Sequence, residues 1–248
     1  MNKLFTSAAI ASLVAGCGGA NTTPTATFTV LKEWSDGVGV GKGNDSEGNK
    51  AYFITPYIVE VVAEANETAT ATSDIDPESF PVTDSLNGYD FREGFLDGDN
   101  LILAVPQSGE GGVLTYLYTT DYEIIMSVVE KLNGVPTGIF TYNGVYAVGL
   151  RYSDWREVGV VSLQANFSQG TFSINGQSPD TSLTGSGWIN TSTGQISGSK
   201  FKFSDVNSRN YSASIVGGFG GDGASEVAGV FNTHDRSHSF VGAFAGQR

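Results

Sequence analysis

The chain has 248 residues, which suffices for one large domain or two modest ones with a buried core. Glycine is frequent, with 33 residues, and charged residues make up 16%, which favours an all-β protein with many turns over a helical one. Acidic residues outnumber basic ones 26 to 13, and the net charge of −13 argues against nucleic acid and against electrostatic binding to anionic lipid. The charge is compatible with a soluble surface or with a basic partner.

The N-terminus has the pattern of a bacterial lipoprotein precursor. Lys3 supplies a positive charge, and residues 4–13 form an apolar stretch too short to span a bilayer. The stretch ends in LVAGC, which resembles a lipobox, where the chain is cut before the cysteine. We therefore predict a signal peptide at 1–16 and lipidation of Cys17, the chain's single cysteine. The alternative is an ordinary signal peptide cut after Ala15 or Gly16.

Lipidation of Cys17 predicts a membrane anchor. The thiol can carry diacylglycerol, and two or more acyl chains such as palmitate give stable anchoring. Gly18 follows the cysteine, whereas lipoproteins kept at the inner membrane often carry Asp there. The sequence thus favours the outer membrane. Residues 17–27 are small and polar and are predicted to be a flexible tether.

Residues 28–133 form the first predicted folded region. Apolar and β-branched runs predict strands, and 122–132 is predicted as a strand or one short helix. The predicted strands are 28–34, 37–41, 101–105 and 113–119, and 51–62 is predicted as a strand pair that Pro56 breaks or confines to a sheet edge.

Residues 134–248 show a more regular strand rhythm, which predicts an antiparallel β-barrel of about eight strands. Asn143-Gly144 and Asn175-Gly176 are predicted as hairpin turns because both residue types accept positive φ. One-sided apolar alternation predicts a water-soluble barrel with a filled core, not a membrane pore. The candidate strands are 137–142, 145–152, 158–167, 170–174, 183–189, 195–203, 211–219, 227–231 and 240–244.

The end of the chain resembles a known family. Residues 219–231 read FGGDGASEVAGVF, which is similar to the F-Y-G-P-x-A-x-E-x-G-G-x-F signature of transferrin-binding protein B-like surface lipoproteins. The closing VGAFAGQR resembles that family's terminal G-x-F-G-G-K-R. The matching signature residues are Phe219, Gly221, Ala224, Glu226, Gly229 and Phe231. Gly220, Asp222 and Gln247 replace the family's Tyr, Pro and Lys, and Ala228 and Ala245 each replace a Gly.

The resemblance implies a fold and a role. In that family a smaller sheet-rich domain, the handle, precedes each barrel, so 28–133 would be the handle and 134–248 the barrel. The signature residues, Glu226 among them, would be structural parts of a barrel hairpin. Relatives bind transferrin, haem carriers or complement regulators, which implies capture of a host or secreted protein, or of haem.

Two histidines are candidate ligands for a metal or for haem iron. His234 and His238 are the only histidines and flank Asp235. The same segment also fits a solvated turn between the last two strands, in which these side chains face water.

Three tyrosines are candidate partner-binding residues. Tyr116, Tyr118 and Tyr122 cluster before the barrel, and Tyr suits protein interfaces because it combines apolar area with a hydrogen bond. The alternative is that they are half-buried strand aromatics.

No motif points to catalysis. Residues 218–223 spell G-x-G-x-x-G, but a short alternating strand follows instead of the helix that a dinucleotide site needs, so we interpret them as a glycine-rich turn. We predict a non-enzymatic lipoprotein of the outer membrane, facing the surface or the periplasm, that captures a protein or an iron or haem source. A structural envelope lipoprotein and a lipid-anchored hydrolase are the alternatives.

Overall fold

The computed structural model describes residues 25–33, 39–44, 50–55, 69–70, 79–96, 99–109, 111–118, 123–150, 156–233 and 240–248. Within these ranges the chain forms seventeen β-strands in two sheets. No helix there is long and apolar enough to cross a membrane. The predicted signal peptide at 1–16 and Cys17 lie outside the described residues.

The first nine strands form one sheet, which we call the handle sheet. Its order is β4-β1-β2-β3-β9-β8-β7-β6-β5, and its pairs are antiparallel. The chain segment predicted as strand or helix is a strand, β9, and β9 joins the two halves of the sheet by pairing with both β3 and β8. The strands are β1 Thr25–Glu33, β2 Gly39–Asn44, β3 Lys50–Thr55, β4 Ala69–Thr70, β5 Val82–Leu86, β6 Tyr89–Leu96, β7 Asp99–Pro106, β8 Val113–Tyr118 and β9 Glu123–Val129.

Two features of the handle sheet differ from the sequence-based expectation. β1 begins at Thr25, so the last three residues of the predicted tether are in a strand. The hairpin of β5 and β6 was not predicted, because its strand β5 carries mostly exposed side chains and so gives no apolar signal. Asn87 and Gly88 form its turn with φ of +52° and +81°, as two-residue hairpins require.

The last eight strands form a closed antiparallel barrel. Each strand pairs with the next along the chain, and β17 closes the barrel on β10, from Asn143 opposite Gln247 to Leu150 opposite Phe240. The predicted handle followed by an eight-stranded barrel is thereby confirmed. The strands are β10 Ile139–Leu150, β11 Arg156–Asn166, β12 Thr171–Gln177, β13 Ser182–Ile189, β14 Gln195–Ser204, β15 Asn210–Gly220, β16 Glu226–Thr233 and β17 Phe240–Gln247.

The prediction of two Asn-Gly hairpin turns in the barrel is wrong. Asn143 and Gly144 lie inside β10, and Asn175 and Gly176 lie inside β12. Two predicted strands, 137–142 and 145–152, are therefore one long strand. Gly144 is needed there for space rather than for a turn, because a Cβ at this position would clash with the carbonyl oxygen of Ala245 in β17.

Aromatic side chains fill the barrel. Phe219 packs against Tyr142 and Phe167 with ring centroids 5.0 and 4.8 Å apart. Phe203 lies 4.8 Å from Phe240 and 6.0 Å from Phe231, so a second group of packed rings occupies the interior. This packing agrees with the predicted filled core.

Inward-facing glycines make room for these rings. A Cβ at Gly229 would lie 2.5 Å from Cζ of Phe244. A Cβ at Gly242 would lie 2.7 Å from the carbonyl oxygen of Ala147 and closer still to the ring of Phe231. The abundant glycine thus lets rings lie flat against the backbone of neighbouring strands.

The handle sheet packs on the outside of the barrel, so the predicted one-sided alternation is incomplete. β16 is buried along its whole length, and β17 along all but its last residue. The apolar outward residues of these two strands and of β10, which we call the docking face, are all Ala or Val: Val145, Ala147, Ala228, Val230, Val241, Ala243 and Ala245. They share one buried cluster with handle residues Tyr52, Tyr89, Phe91, Ala104, Leu114, Ile125 and Val129.

We expect Gly242→Val to destabilise the barrel. The added methyl groups have no space between Phe231 and Ala147, and overpacking a dense core costs about 1–3 kcal/mol. The midpoint of urea unfolding should fall accordingly. Ser212→Val is the matched control, because Ser212 is exposed on β15 of the same barrel and receives the same side chain. Equal midpoints for the two variants would contradict the packing described here.

Candidate functional site

A buried carboxylate joins the handle sheet to the barrel. Glu226, at the start of β16, is 3% exposed although it is charged in its ordinary state. The Gly111 N–H donates to its Oε1 at 3.1 Å, and the Glu130 N–H donates to its Oε2 at 2.9 Å. Both donors belong to the handle side. Because a buried carboxylate is costly without hydrogen bonds, these bonds fix the sheet at one position on the barrel.

The turn before Glu226 is held by Asn133, which links the sheet to the barrel. The Asn133 N–H donates to the Gly221 carbonyl at 3.1 Å, and the Gly223 N–H donates to the Asn133 carbonyl at 2.8 Å. The Asn133 Nδ2 also donates to Oδ1 of Asp222 at 2.7 Å. Gly221, Gly223 and Ala224 have φ of +70°, +58° and +59°, so the turn is a tight one.

The signature residues extend from this end of the barrel into its interior. Phe219 and Phe231 point into the filled interior, and Gly229 lies under the ring of Phe244. Ala224 is fully buried, and its carbonyl accepts a 2.6 Å hydrogen bond from the Tyr142 hydroxyl. Glu226 faces the opposite way, toward the handle sheet.

Three further polar contacts surround the docking face. The Asn87 Nδ2 donates to the Gly144 carbonyl at 2.7 Å, and the Ser108 Oγ donates to Oε1 of Gln247 at 2.7 Å. On the other side, the Lys50 Nζ donates to the Thr193 carbonyl at 2.9 Å. The handle sheet is thus tied to the barrel by side chains from three separate hairpins.

Two tyrosine hydroxyls are buried within the interface. Tyr52 and Tyr89 are 1% and 0% exposed, and neither hydroxyl has a hydrogen-bond partner among the described residues. Burial raises the pKa of both above its ordinary value, and for Tyr89 the Glu226 carboxylate raises the pKa further. Both hydroxyls therefore stay neutral at physiological pH.

The opposite rim of the barrel carries two rigid turns. Asp205 accepts hydrogen bonds from the N–H groups of Asn207 and Arg209, at 3.0 and 2.9 Å, and from the Tyr211 hydroxyl at 3.0 Å. Burial alone would raise the pKa of Asp205, but these hydrogen bonds outweigh it and the pKa lies below its usual value. In the turn before β13, the Thr181 Oγ1 lies 2.8 Å from the Tyr146 hydroxyl.

Both predicted ligand residues, His234 and His238, lie outside the described residues. In the sequence the two histidines lie between Thr233, where β16 ends, and Phe240, where β17 begins. No group of three or more His, Cys, Asp or Glu residues that could hold a metal ion occurs in the described ranges. Metal or haem binding at the two histidines therefore stays a prediction.

The predicted partner-binding tyrosines are only partly placed. Tyr116 and Tyr118 lie in β8, with Tyr116 opposite Ile102 of β7 and Ile125 of β9. Tyr122 lies outside the described residues. The three residues are therefore close in sequence around the end of β8, and their role in binding stays a prediction.

Comparison with known proteins identifies the fold. No family model matches the sequence, and no curated protein matches it. Solved structures do match over most of the chain. Intact Ap-TbpB, with N and C lobes, matches at a TM-score of 0.50 and 13% identity, over 85% of this chain and 52% of its own.

Two further structures agree. Isotype 1 transferrin binding protein B from serogroup B Neisseria meningitidis matches at a TM-score of 0.54 and 14% identity, over 86% of this chain and 50% of its own. A double mutant of transferrin binding protein B from Haemophilus parasuis matches at a TM-score of 0.52 and 14% identity, over 85% of this chain and 51% of its own. The chain spans about half the length of these structures. It has the fold of half of a transferrin binding protein B, and at this identity the likeness concerns the fold alone.

We expect Glu226→Gln to weaken the junction. A neutral amide can accept from one of the two backbone N–H groups, but its own NH₂ group then faces the other donor. Leaving one buried N–H unsatisfied costs about 1–3 kcal/mol. Chemical denaturation should show an earlier loss of structure, and limited proteolysis should cut the handle sheet faster.

Glu130→Gln is the matched control for this prediction. It makes the same chemical change at an exposed carboxylate, while the Glu130 N–H that bonds to Glu226 is retained. If Glu226→Gln and Glu130→Gln were equally stable, the carboxylate would not be fixing the junction.

Proposed function

We propose that the chain is a lipoprotein anchored to the outer membrane through Cys17, which captures a partner without catalysing a reaction. The partner is a protein or a source of iron or haem. The same proposal assigns 1–16 to a signal peptide, 17–27 to a tether whose last three residues lie in β1, 28–133 to a handle domain and 134–248 to a barrel domain. The protein faces the cell surface or the periplasm.

The observation that carries the proposal is the combination of a filled barrel and a fixed handle. Aromatic rings occupy the barrel interior, and the docking face holds the handle sheet. A partner would therefore bind to rim segments and outer surfaces of a rigid scaffold, as binding loops commonly do. The solved structures that share this fold are named as transferrin binding proteins, which supports capture of a protein.

The net charge bears on the kind of protein partner. A chain with a net charge of −13 attracts a basic surface and repels an acidic one, which speeds encounter with a basic partner. For haem, the proposed ligands are His234 and His238 in the segment that joins β16 to β17. Tyr116, Tyr118 and Tyr122 are the proposed contacts for a protein.

Cys17→Ser should release the protein from the membrane. Serine has no thiol to form the thioether with diacylglycerol, so the acyl chains that would anchor the chain are absent. After cell fractionation, the unaltered chain should be found with the outer membrane and the variant in the soluble fraction. Thr22→Ala, in the same predicted tether, is the control and should stay membrane-bound. Membrane retention of Cys17→Ser would contradict the anchor.

The capture proposal is tested with the chain from Gly18 onward. Titration with haemin should give a saturable change in the Soret absorption that the His234→Ala/His238→Ala variant loses and Ser237→Ala keeps. If haemin only adsorbs without saturation, the partner should be a protein, retained from secreted or host proteins by the immobilised chain. If a correctly folded chain neither binds haemin saturably nor retains a protein, the result would contradict capture and favour a structural envelope role.

A further inference from the structure

The outer surface of the barrel away from the docking face has an unusual charge composition. Strands β12, β13 and β14 contain no Asp or Glu and two lysines, Lys200 and Lys202. The whole chain carries 26 acidic against 13 basic residues. This surface is therefore locally positive on a strongly negative protein. Its outward positions otherwise carry small hydroxyl and amide side chains, such as Ser173, Asn175 and Thr184.

Two neighbouring irregularities open a groove in this surface. The pairing of β13 with β14 shifts between Ser186 and Trp188, and the pairing of β14 with β15 shifts between Gly198 and Phe201. Bulges of this kind bend a strand and re-aim its side chains. The resulting groove has a volume of about 530 Å³, which lies in the range of small-molecule sites. We call it the barrel groove.

Aromatic rings pack inside the barrel beneath these irregularities. The rings of Phe172 and Phe201 lie over inward-facing glycines of β13 and β14, so a Cβ at Gly187 would be 2.6 Å from Phe172, and one at Gly198 would be 2.5 Å from Phe201. Phe201 and Phe172 also stack on each other at 5.9 Å. The groove outside is thus supported by a rigid core beneath it.

Trp188 lines the barrel groove and is 69% exposed. Exposing an indole to water is unfavourable, and most large apolar side chains of this barrel are buried. Other exposed apolar residues, such as Phe95 and Ile139, do not line this groove. Beside Trp188 the lining carries five hydroxyl groups, one cation and the apolar or small residues Gly187, Gly198, Ile215 and Val216. The hydroxyl groups belong to Thr171, Ser186, Ser197, Ser199 and Ser214, and the cation is Lys200.

This lining fits a sugar better than a protein. The core of a protein interface is apolar and carries several large side chains, whereas here Trp188 is the one aromatic side chain and five hydroxyl groups share the groove with it. A pyranose ring has an apolar C–H face that can stack on an indole, and its hydroxyl groups can exchange hydrogen bonds with serine and threonine. Lys200, with no carboxylate in the lining, favours a negatively charged group on that sugar.

We infer that the barrel groove binds an anionic oligosaccharide, with one sugar ring stacked on Trp188 and an acidic group facing Lys200. The inference does not depend on the capture of a protein or haem. Two sources supply this chemistry: acidic sugars of host glycans and uronic acids of polysaccharides. A second copy of the chain seated on Trp188 is the competing occupant.

The test uses the chain from Gly18 onward with three probes: sialyllactose, tri-galacturonate and neutral lactose. Isothermal titration calorimetry should show saturable binding of at least one anionic probe. The affinity for lactose should be lower than the affinity for that probe by a factor of about ten or more. Which anionic probe binds better distinguishes the host from the polysaccharide source. Saturation with neither anionic probe, or equal binding of lactose, would overturn the inference.

Variants separate the two contacts. Trp188→Ala should weaken binding of the anionic probe about tenfold or more, and Trp188→Phe should retain part of it, because a ring remains for stacking. Lys200→Gln should lower the affinity for the anionic probe and leave the weak affinity for lactose unchanged. Lys202→Gln is the matched control, since Lys202 is exposed on the same strand and does not line the groove.

The folded state and the competing occupant are checked in parallel. Trp188 and Lys200 are exposed, so their variants should melt at the temperature of the unaltered chain. Light scattering should show a monomer whether or not Trp188 is replaced. A dimer that Trp188→Ala abolishes, or sugar binding that Trp188→Ala leaves unchanged, would overturn the assignment.

Discussion

The close approach of the handle sheet to the barrel depends on small outward side chains on three barrel strands. Val145, Ala228 and Ala243 are typical of this docking face, which larger residues would push away from the sheet. Only at close approach can the backbone N–H groups of Gly111 and Glu130 reach the Glu226 carboxylate. The apolar contact buries surface area between the sheet and the barrel, and the hydrogen bonds to the carboxylate hold the sheet at a single position on the barrel. The arrangement is therefore both stable and specific.

The same barrel strands pack against the barrel core on their inward side and against the handle sheet on their outward side. Their inward positions alternate glycine with phenylalanine, as at Gly229, Phe231, Gly242 and Phe244, so that each ring lies over a glycine of the adjacent strand. Their outward positions carry Ala and Val for the handle. The strands that do not contact the handle follow a different rule. They carry hydroxyl and amide groups outside, and this difference leaves the surface on which Trp188 lies.

Much of the fold could be predicted from the sequence, because strand periodicity and a terminal signature are local signals. Turn chemistry was less informative. Asn-Gly at 87–88 forms a hairpin turn, whereas Asn-Gly at 143–144 lies inside a strand whose glycine gives space to Ala245. Nothing local distinguishes these two uses. The barrel groove could not be predicted either, since it lies at shifts in the pairing between strands, above the stacked rings of Phe172 and Phe201, and neither feature is local in sequence. The role of Glu226 in holding the handle needed the three-dimensional contact.

The central claim is that the handle and barrel form one fixed unit through Glu226. Hydrogen exchange of the Gly111 and Glu130 amides, followed by NMR, tests it most directly, because neither amide belongs to a strand ladder of the sheet. The account predicts that both amides exchange slowly in the native protein and that both accelerate together when Glu226 is replaced by alanine. Rapid exchange of both amides in the unaltered protein would contradict the account.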